Sequence, residues 1–515
     1  MEVTELMHFF PVRNKFFIGC VFLLGQIHGL FGQSFIIPEP SLQQAVANSL
    51  GVAERDLTAE LIEAKLIRLE ANNRQIRDLS GLEIAKNLEY LVLRNNLIQD
   101  LKPIQNLSKL RKLDLHGNRL NDLSSLAPLS GKVLEERVTQ LQSTLKVNSL
   151  SENERAQTLL ELSESIELLQ SGNWSLRQLN LSSNRLLGLS GIGNFKFLSH
   201  LDVSQNSLID MEGVSRLSNL VSFFAHGNQL GRIEEYVDRN RNKSYDDGEP
   251  FTDESGNGKR DIDPLIELRN LSNLEDLHLY DNHLKSINSM GELPSLKTLL
   301  LSGNQISDLK PLEKFHNLNQ LSVANNRVFT LDGLQTLEKL QRLNLAENHI
   351  CDLRPLRSLK SLHSLDLHSN IITDANELTN LGGLRSLGLS HNLLSDPVPI
   401  LRLEFLSNLS LSHNRIPIEN ANLKEQLELA KKTGVYFNIR EQKSILPEAE
   451  ELVRSLVGYP NANRRLADHL RKNGYRSLTL YLNNEKINLE DKITSLKNWK
   501  LSLRTGTYLS DIPLR

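Results

Sequence analysis

Apolar and polar positions recur along most of the chain in the pattern LxxLxLxxNxL, which returns every 22 residues. One copy is Leu88, Leu91, Leu93, Asn96 and Ile98; the next is Leu110, Leu113, Leu115, Asn118 and Leu120. The marker asparagine comes back at Asn184, Asn206 and Asn228. It returns again at Asn282, Asn304, Asn326, Asn348, Asn370, Asn392 and Asn414. Within each run the step is constant, which gives twelve clear copies. A degenerate copy starts at Leu66, with Ala71 in a leucine position and Arg74 in the asparagine position. Period-two LxL predicts a short strand with one buried face. Each strand should pair in parallel with its neighbour, about 4.8 Å away. An asparagine amide supplies both donors and an acceptor, so stacked asparagines can satisfy backbone groups where the chain turns off the strand. Too few residues remain in each copy for a long helix, which predicts short 3-10 turns or irregular backbone on the return path. One unit cannot bury its apolar face alone, but a stack can. The predicted fold is an α/β solenoid of about thirteen repeats over residues 66–437.

Two insertions break the spacing. Asn118 and Asn184 are 66 residues apart, one repeat plus 44. The extra segment, residues 130–172, has helical periodicity at Leu134, Val138, Leu141 and Leu145, then at Leu159, Leu162, Ile166 and Leu169. Ser151 and Glu154 have capping-box spacing, and Gly172 is a stop signal. An antiparallel helical hairpin is expected, its two stripes facing each other or the return side of the solenoid. It is either a decoration or a docking element.

Asn228 and Asn282 are 54 residues apart, and the insertion over residues 231–270 is polar and acidic. Asp238, Asn240, Asn242, Ser244, Asp246 and Glu249 occupy positions 1, 3, 5, 7, 9 and 12 of an EF-hand-type loop, in which alternate residues turn oxygens inward on a hard cation. A second loop follows with Asp253, Ser255, Asn257, Lys259 (through its carbonyl) and Asp261. Lys243 replaces the usual glycine of the first loop. Pro264 replaces the closing glutamate of the second, so that Asp263 or Glu267 would have to substitute. Ca²⁺ in at least one loop is the expectation; the alternative is an acidic surface loop without metal.

At the N-terminus, Arg13 and Lys15 precede an apolar stretch from Phe16 to Phe31. It is shorter than the ~20 residues of a membrane span, and residues 1–32 read as a secretory signal peptide. An uncleaved anchor is the alternative, and Cys20 faintly resembles a lipoprotein site. After cleavage no integral span is expected. Residues 438–515 read as a mixed α/β extension, with Leu452, Leu456, Leu466 and Leu470 at helical spacing and Leu478, Leu480 and Leu482 at strand spacing.

Composition narrows the class. Leucine accounts for 103 of 515 residues, as a fixed-position repeat requires. A net charge of −3 suggests no general polyanion-binding surface, so no nucleic-acid partner is expected, a local basic patch being the alternative. Two cysteines exclude a disulfide framework. No phosphate loop, HExxH or nucleophile elbow is present. Cys351-Asp352 has the look of a nucleophile pair, but Cys351 falls in a routine repeat position. An enzyme is not expected.

The repeats resemble bacterial leucine-rich-repeat proteins of the internalin type. The segment Ile37-Pro38-Glu39-Pro40-Ser41-Leu42, with Ala45, Val46, Leu57 and Thr58, is similar to their helical N-terminal cap, here residues 35–65. The resemblance covers about residues 35–437. It implies a curved solenoid with the sheet on its concave face, and binding rather than catalysis. The residues flanking each LxL point out of the sheet, and the candidate contacts are Tyr90, Arg94, His116, His200, Asp202, Phe224, His226, His278 and Tyr280. Asp202, Phe224 and His226 are expected to form one patch. The final repeats carry mostly small residues there, so a ligand should sit in the first two-thirds. The function expected is a secreted or cell-envelope (periplasmic) protein-binding module. The alternatives are an intracellular regulatory subunit of a phosphatase, which the signal segment argues against, and a structural spacer.

Overall fold

The computed structural model describes residues 36–130, 132–146, 151–171, 176–232, 237, 239, 249–252 and 263–442, together with four strands between 477 and 513. The segment read as a signal peptide and the helical spacing at 452–470 lie outside the described residues. Fourteen three-residue strands form one parallel, curved and unclosed sheet in strict chain order. They begin with β1 (Arg68–Glu70), β2 (Tyr90–Val92), β3 (Lys112–Asp114), β4 (Gln178–Asn180), β5 (His200–Asp202) and β6 (Ser222–Phe224). They continue with β7 (Asp276–His278), β8 (Thr298–Leu300), β9 (Gln320–Ser322), β10 (Arg342–Asn344) and β11 (Ser364–Asp366). The last are β12 (Ser386–Gly388), β13 (Asn408–Ser410) and β14 (Tyr436–Asn438). The central residue of each strand, leucine in all but β6 (Phe223) and β14 (Phe437), lies opposite its counterpart, as in Leu343 with Leu321 and Leu365, so the 22-residue period becomes one file of side chains turned into the core. Short 3-10 turns such as Lys310–Lys314 and Arg354–Ser358 line the other side.

The asparagines form the ladder that their chemistry predicted. Asn348 is representative: its Nδ2 donates to the carbonyls of Val323 (2.9 Å), Leu345 (3.1 Å) and Ala346 (2.9 Å), while its Oδ1 accepts the Val328 N–H at 3.0 Å. The residue before each rung turns left-handed, with φ between 50° at Asn325 and 66° at Gly117. Gly117, Gly227 and Gly303 take this turn without strain, and asparagine, serine, aspartate, glutamine, glutamate or histidine takes it in the other repeats. The ladder crosses both insertions. Asn184 bonds the Leu115 carbonyl at 3.0 Å, and Asn282 bonds the Ala225 carbonyl at 3.0 Å.

Each end is closed by a helix. Helix α1 (Pro40–Leu50) has proline in its first turn and ends at Gly51 in the left-handed region. It buries Leu42, Ala45, Val46 and Ala47 and packs on β1. Helix α2 (Ala59–Lys65) is capped by Thr58, whose side chain accepts the Leu61 N–H. Arg74 cannot act as a rung; its guanidinium instead reaches Gln44 of α1 at 3.1 Å. At the far end α5 (Ala421–Lys432) leads into β14, and Gln442 takes the asparagine role. Its Oε1 accepts the Ile416 N–H at 3.1 Å and its Nε2 donates to the Leu411 carbonyl at 2.9 Å. The ladder therefore runs to 442, past the boundary read at 437, because one extra methylene lets glutamine make the same bonds.

The first insertion holds α3 (Lys132–Leu145) and α4 (Glu152–Ser171). Ser151 and Glu154 make the reciprocal cap, Glu154 accepting the Ser151 N–H at 2.9 Å. Arg137 crosses to Glu161 at 2.6 Å. Leu141 is buried, but Leu159 is 51 % exposed, although it belongs to the expected inward stripe. Two helices enclose only the seam between them, and the first turn of that stripe stays outside it.

The acidic insertion ends earlier than 270. Pro264–Leu268 is a 3-10 turn of the solenoid with Leu265 and Leu268 fully buried. The hairpin falls between β3 and β4, and the acidic segment between β6 and β7. Strands β15 (Ser477–Leu482), β16 (Glu485–Ile487), β17 (Trp499–Thr505) and β18 (Tyr508–Pro513) form an antiparallel sheet in the order β16-β15-β17-β18. The strand spacing at Leu478, Leu480 and Leu482 falls in β15.

Candidate binding face

Alternate strand positions point away from the leucine file, and the parallel register brings them together across repeats. Asp202 lies opposite Phe224, Phe224 opposite His278, and His278 opposite Leu300. On β6 and β7 this produces two ring stacks. Phe224 and His278 have centroids 4.3 Å apart at 25°, and His226 and Tyr280 have centroids 4.0 Å apart at 14°. The stacks adjoin each other, with His226 and His278 at 6.4 Å. All four rings are half-buried. Burial pushes both imidazoles below their ordinary pKa, with His226 adding to the effect on His278; Asp202 pulls each one partly back. Burial, then Asp281 and Asp202, raises the Tyr280 phenol. The rings are thus neutral at neutral pH and lie in a negative field.

A family model described as "Leucine Rich repeats (2 copies)" matches residues 86–128 and 294–336. The fold is a leucine-rich-repeat solenoid. An internalin of Listeria monocytogenes is 20% identical; the match covers 82% of this chain and 94% of that one with a TM-score of 0.53. A leucine-rich-repeat protein of Leptospira interrogans is 24% identical, with 74% and 85% covered and a TM-score of 0.53. No curated protein matches the chain. Leucine-rich repeats in general serve as protein-binding modules.

The other candidate contacts of the leucine-rich-repeat face are spread along it. Arg94 is held by Asp114 at 2.6 Å, and that carboxylate is almost wholly enclosed. His116 meets the Ser182 hydroxyl at 2.8 Å. Tyr90 lies under the Arg68 guanidinium at 5.1 Å. His200 Nδ1 is 2.9 Å from the Ser199 hydroxyl, an exposed local contact. Phe224, His226, His278 and Tyr280 form one ring cluster with Asp202 beside it, while Tyr90, Arg94, His116 and His200 make these separate contacts. Leu300 escaped the sequence reading because it sits inside the run Leu299-Leu300-Leu301. Its place one strand on from His278 is the signal that identifies it.

Of the proposed calcium ligands only Glu249 is described; Asp238, Asn240, Asn242, Ser244, Asp246, Asp253, Ser255, Asn257, Lys259 and Asp261 lie outside the described residues. Glu249 is buried, and its Oε1 accepts the Arg239 N–H at 2.8 Å. Val237 N–H meets the Pro250 carbonyl at 2.8 Å. These two bonds join the ends of the first loop. Glu267 is engaged elsewhere. It accepts the Gly213 and Ser215 N–H groups at 3.1 Å and the Ser215 hydroxyl at 2.7 Å, tying one repeat to the next. Asp263 caps the Leu265 N–H at 3.0 Å. Both carboxylates thus have hydrogen-bond partners within the solenoid. Among the described residues no group of three or more His, Cys, Asp or Glu is placed to hold a metal. The Cys351 thiol is pushed up to about 12, by burial first and Asp352 second, the opposite of an activated nucleophile. Among the described residues no helix is long and apolar enough to cross a membrane.

Proposed function

We propose that the chain is a non-catalytic module that binds another protein on the concave face, centred on Phe224, His226, His278 and Tyr280. The observation that carries this reading is the paired ring stack itself. It presents four half-buried rings and Leu300 side by side on an open sheet. Protein interfaces concentrate their binding energy in such rigid aromatic anchors. The basic and apolar N-terminal segment supports a secreted or cell-envelope location, and the acidic insertion supports calcium as a stabiliser of the loop next to β6. Immobilised protein should retain a defined partner from the native surroundings, and the variant Phe224→Ala/Tyr280→Ala should lose it while keeping the wild-type melting curve. Equal retention by both proteins would overturn the reading.

A further inference from the structure

The ring cluster is more than an apolar anchor, because three carboxylates act on it. Asp202 stands beside Phe224 on the neighbouring strand, Asp276 opens β7, and Asp281 follows Tyr280 in the turn. Their fields reach the rings: Asp202 acts on His226, His278 and Tyr280, Asp281 on His226 and Tyr280, and Asp276 on His278. Among the described residues no lysine or arginine pairs with these three aspartates. Arg94 is the cation that Asp202 also influences, and it is held by Asp114. The Asp202 carboxylate accepts the Ser204 N–H and hydroxyl, both neutral donors.

We propose that this cluster recognises an arginine side chain presented by the protein partner. The proposal rests on the reading of the concave face as a protein-binding surface and specifies what is bound there. An aliphatic guest would gain from the rings but would leave the carboxylates without a partner. An anion would be repelled by them. A cation gains from both, since ring faces attract positive charge and carboxylates pair with it. A guanidinium suits the site better than an ammonium. It is planar, so it can lie on a ring, and it offers a fork of donors to carboxylates on either side.

The test uses the full chain and a labelled Gly/Ser peptide carrying three arginines. The comparison peptides carry lysine, citrulline or glutamate at the same positions, and fluorescence polarisation reads the binding. Citrulline keeps the shape and removes the charge. The arginine peptide should bind more tightly than the lysine peptide and about tenfold more tightly than the citrulline one. Phe224→Leu/Tyr280→Leu and Asp202→Asn/Asp281→Asn should each weaken it about tenfold. Asp366→Asn, four strands beyond β7 on the same face, should leave it within about twofold. Equal binding of the citrulline peptide, or equal loss in the Asp366 variant, would overturn the proposal. If a native partner is still lost on changing Phe224 and Tyr280 while arginine and citrulline bind alike, the arginine proposal fails and the binding-face reading stands. If arginine is selected but no partner depends on these rings, the failure belongs to that broader reading.

Discussion

A single amide does most of the work of each repeat. Asn348 satisfies three carbonyls and one N–H that the turn would otherwise leave buried and unpaired. Replacing it with alanine strands those groups, each at a cost of about 1–3 kcal/mol, partly relieved by relaxation. We expect Asn348→Ala to lower stability by roughly 3 kcal/mol in urea unfolding. Asn408→Ala, on the exposed face, should change it by less than about 0.5 kcal/mol. This role was legible in the sequence because only one residue type recurs at that position. The ring stacks were less so: the four residues could be placed on one face, but which rings touch depends on rotamers that spacing does not encode. Acid sensitivity also lives at this scale. Burial sets the pKa values of His226, His278, His283 and His349 below the ordinary 6.5, with Arg327 contributing at His349. A base whose folded pKa is depressed binds fewer protons when folded. Its contribution to stability is complete above 6.5 and is lost as pH falls from there through the folded values. The melting temperature should therefore drop between about pH 7.5 and 5.5. His349→Gln should drop less, and an equal drop would remove His349 from the account.

Among the elements, the two insertions differ in how well their sequences announced them. Helices α3 and α4 follow from apolar spacing and a capping box, both local signals. The exposure of Leu159 could not be foreseen, since it depends on which seam the two helices share. The end of the acidic segment was misjudged for a similar reason. Pro264 to Leu268 reads as polar loop beside its acidic neighbours, yet Leu265 and Leu268 enter the core and Glu267 bridges to Ser215. For calcium, expected in at least one loop, the first loop gives the sharper prediction. With Lys243 in the turn position, affinity should fall in the weak class of about 10⁻⁴–10⁻³ M. Isothermal titration of the wild type should give heat in millimolar Ca²⁺ that Glu249→Gln abolishes. Because Glu249 also accepts the Arg239 N–H, the variant must be compared with wild type in metal-free buffer, where glutamine retains an acceptor oxygen and the melting curve should be nearly unchanged. Identical heats from the two proteins would leave the segment an acidic loop.

Across the whole molecule, fourteen strands at about 4.8 Å make a sheet about 60 Å long, in which each repeat touches only its neighbours. Stability in such an array is a sum of repeat terms and interface terms, and long arrays can lose cooperativity. What couples this one is the continuous apolar file, leucine in most strands, together with the ladder. Both continue across the insertions, where Leu113 pairs with Leu179 and Phe223 with Leu277. The wild type should therefore unfold in one transition. Asn282 is the rung between the block ending in β6 and the block beginning in β7, bonding Ala225 on one side and Leu279 on the other. Asn282→Ala should split the urea transition in two and lower the apparent slope, because each block keeps its own file of leucines. Gln442→Ala removes a rung of the same kind at the end of the array, where no further strand of the parallel sheet follows to be uncoupled. It should fray β14, seen as faster amide exchange there, while the main transition keeps its slope. A single transition of unchanged slope in Asn282→Ala would mean that leucine packing alone carries the coupling across the insertion.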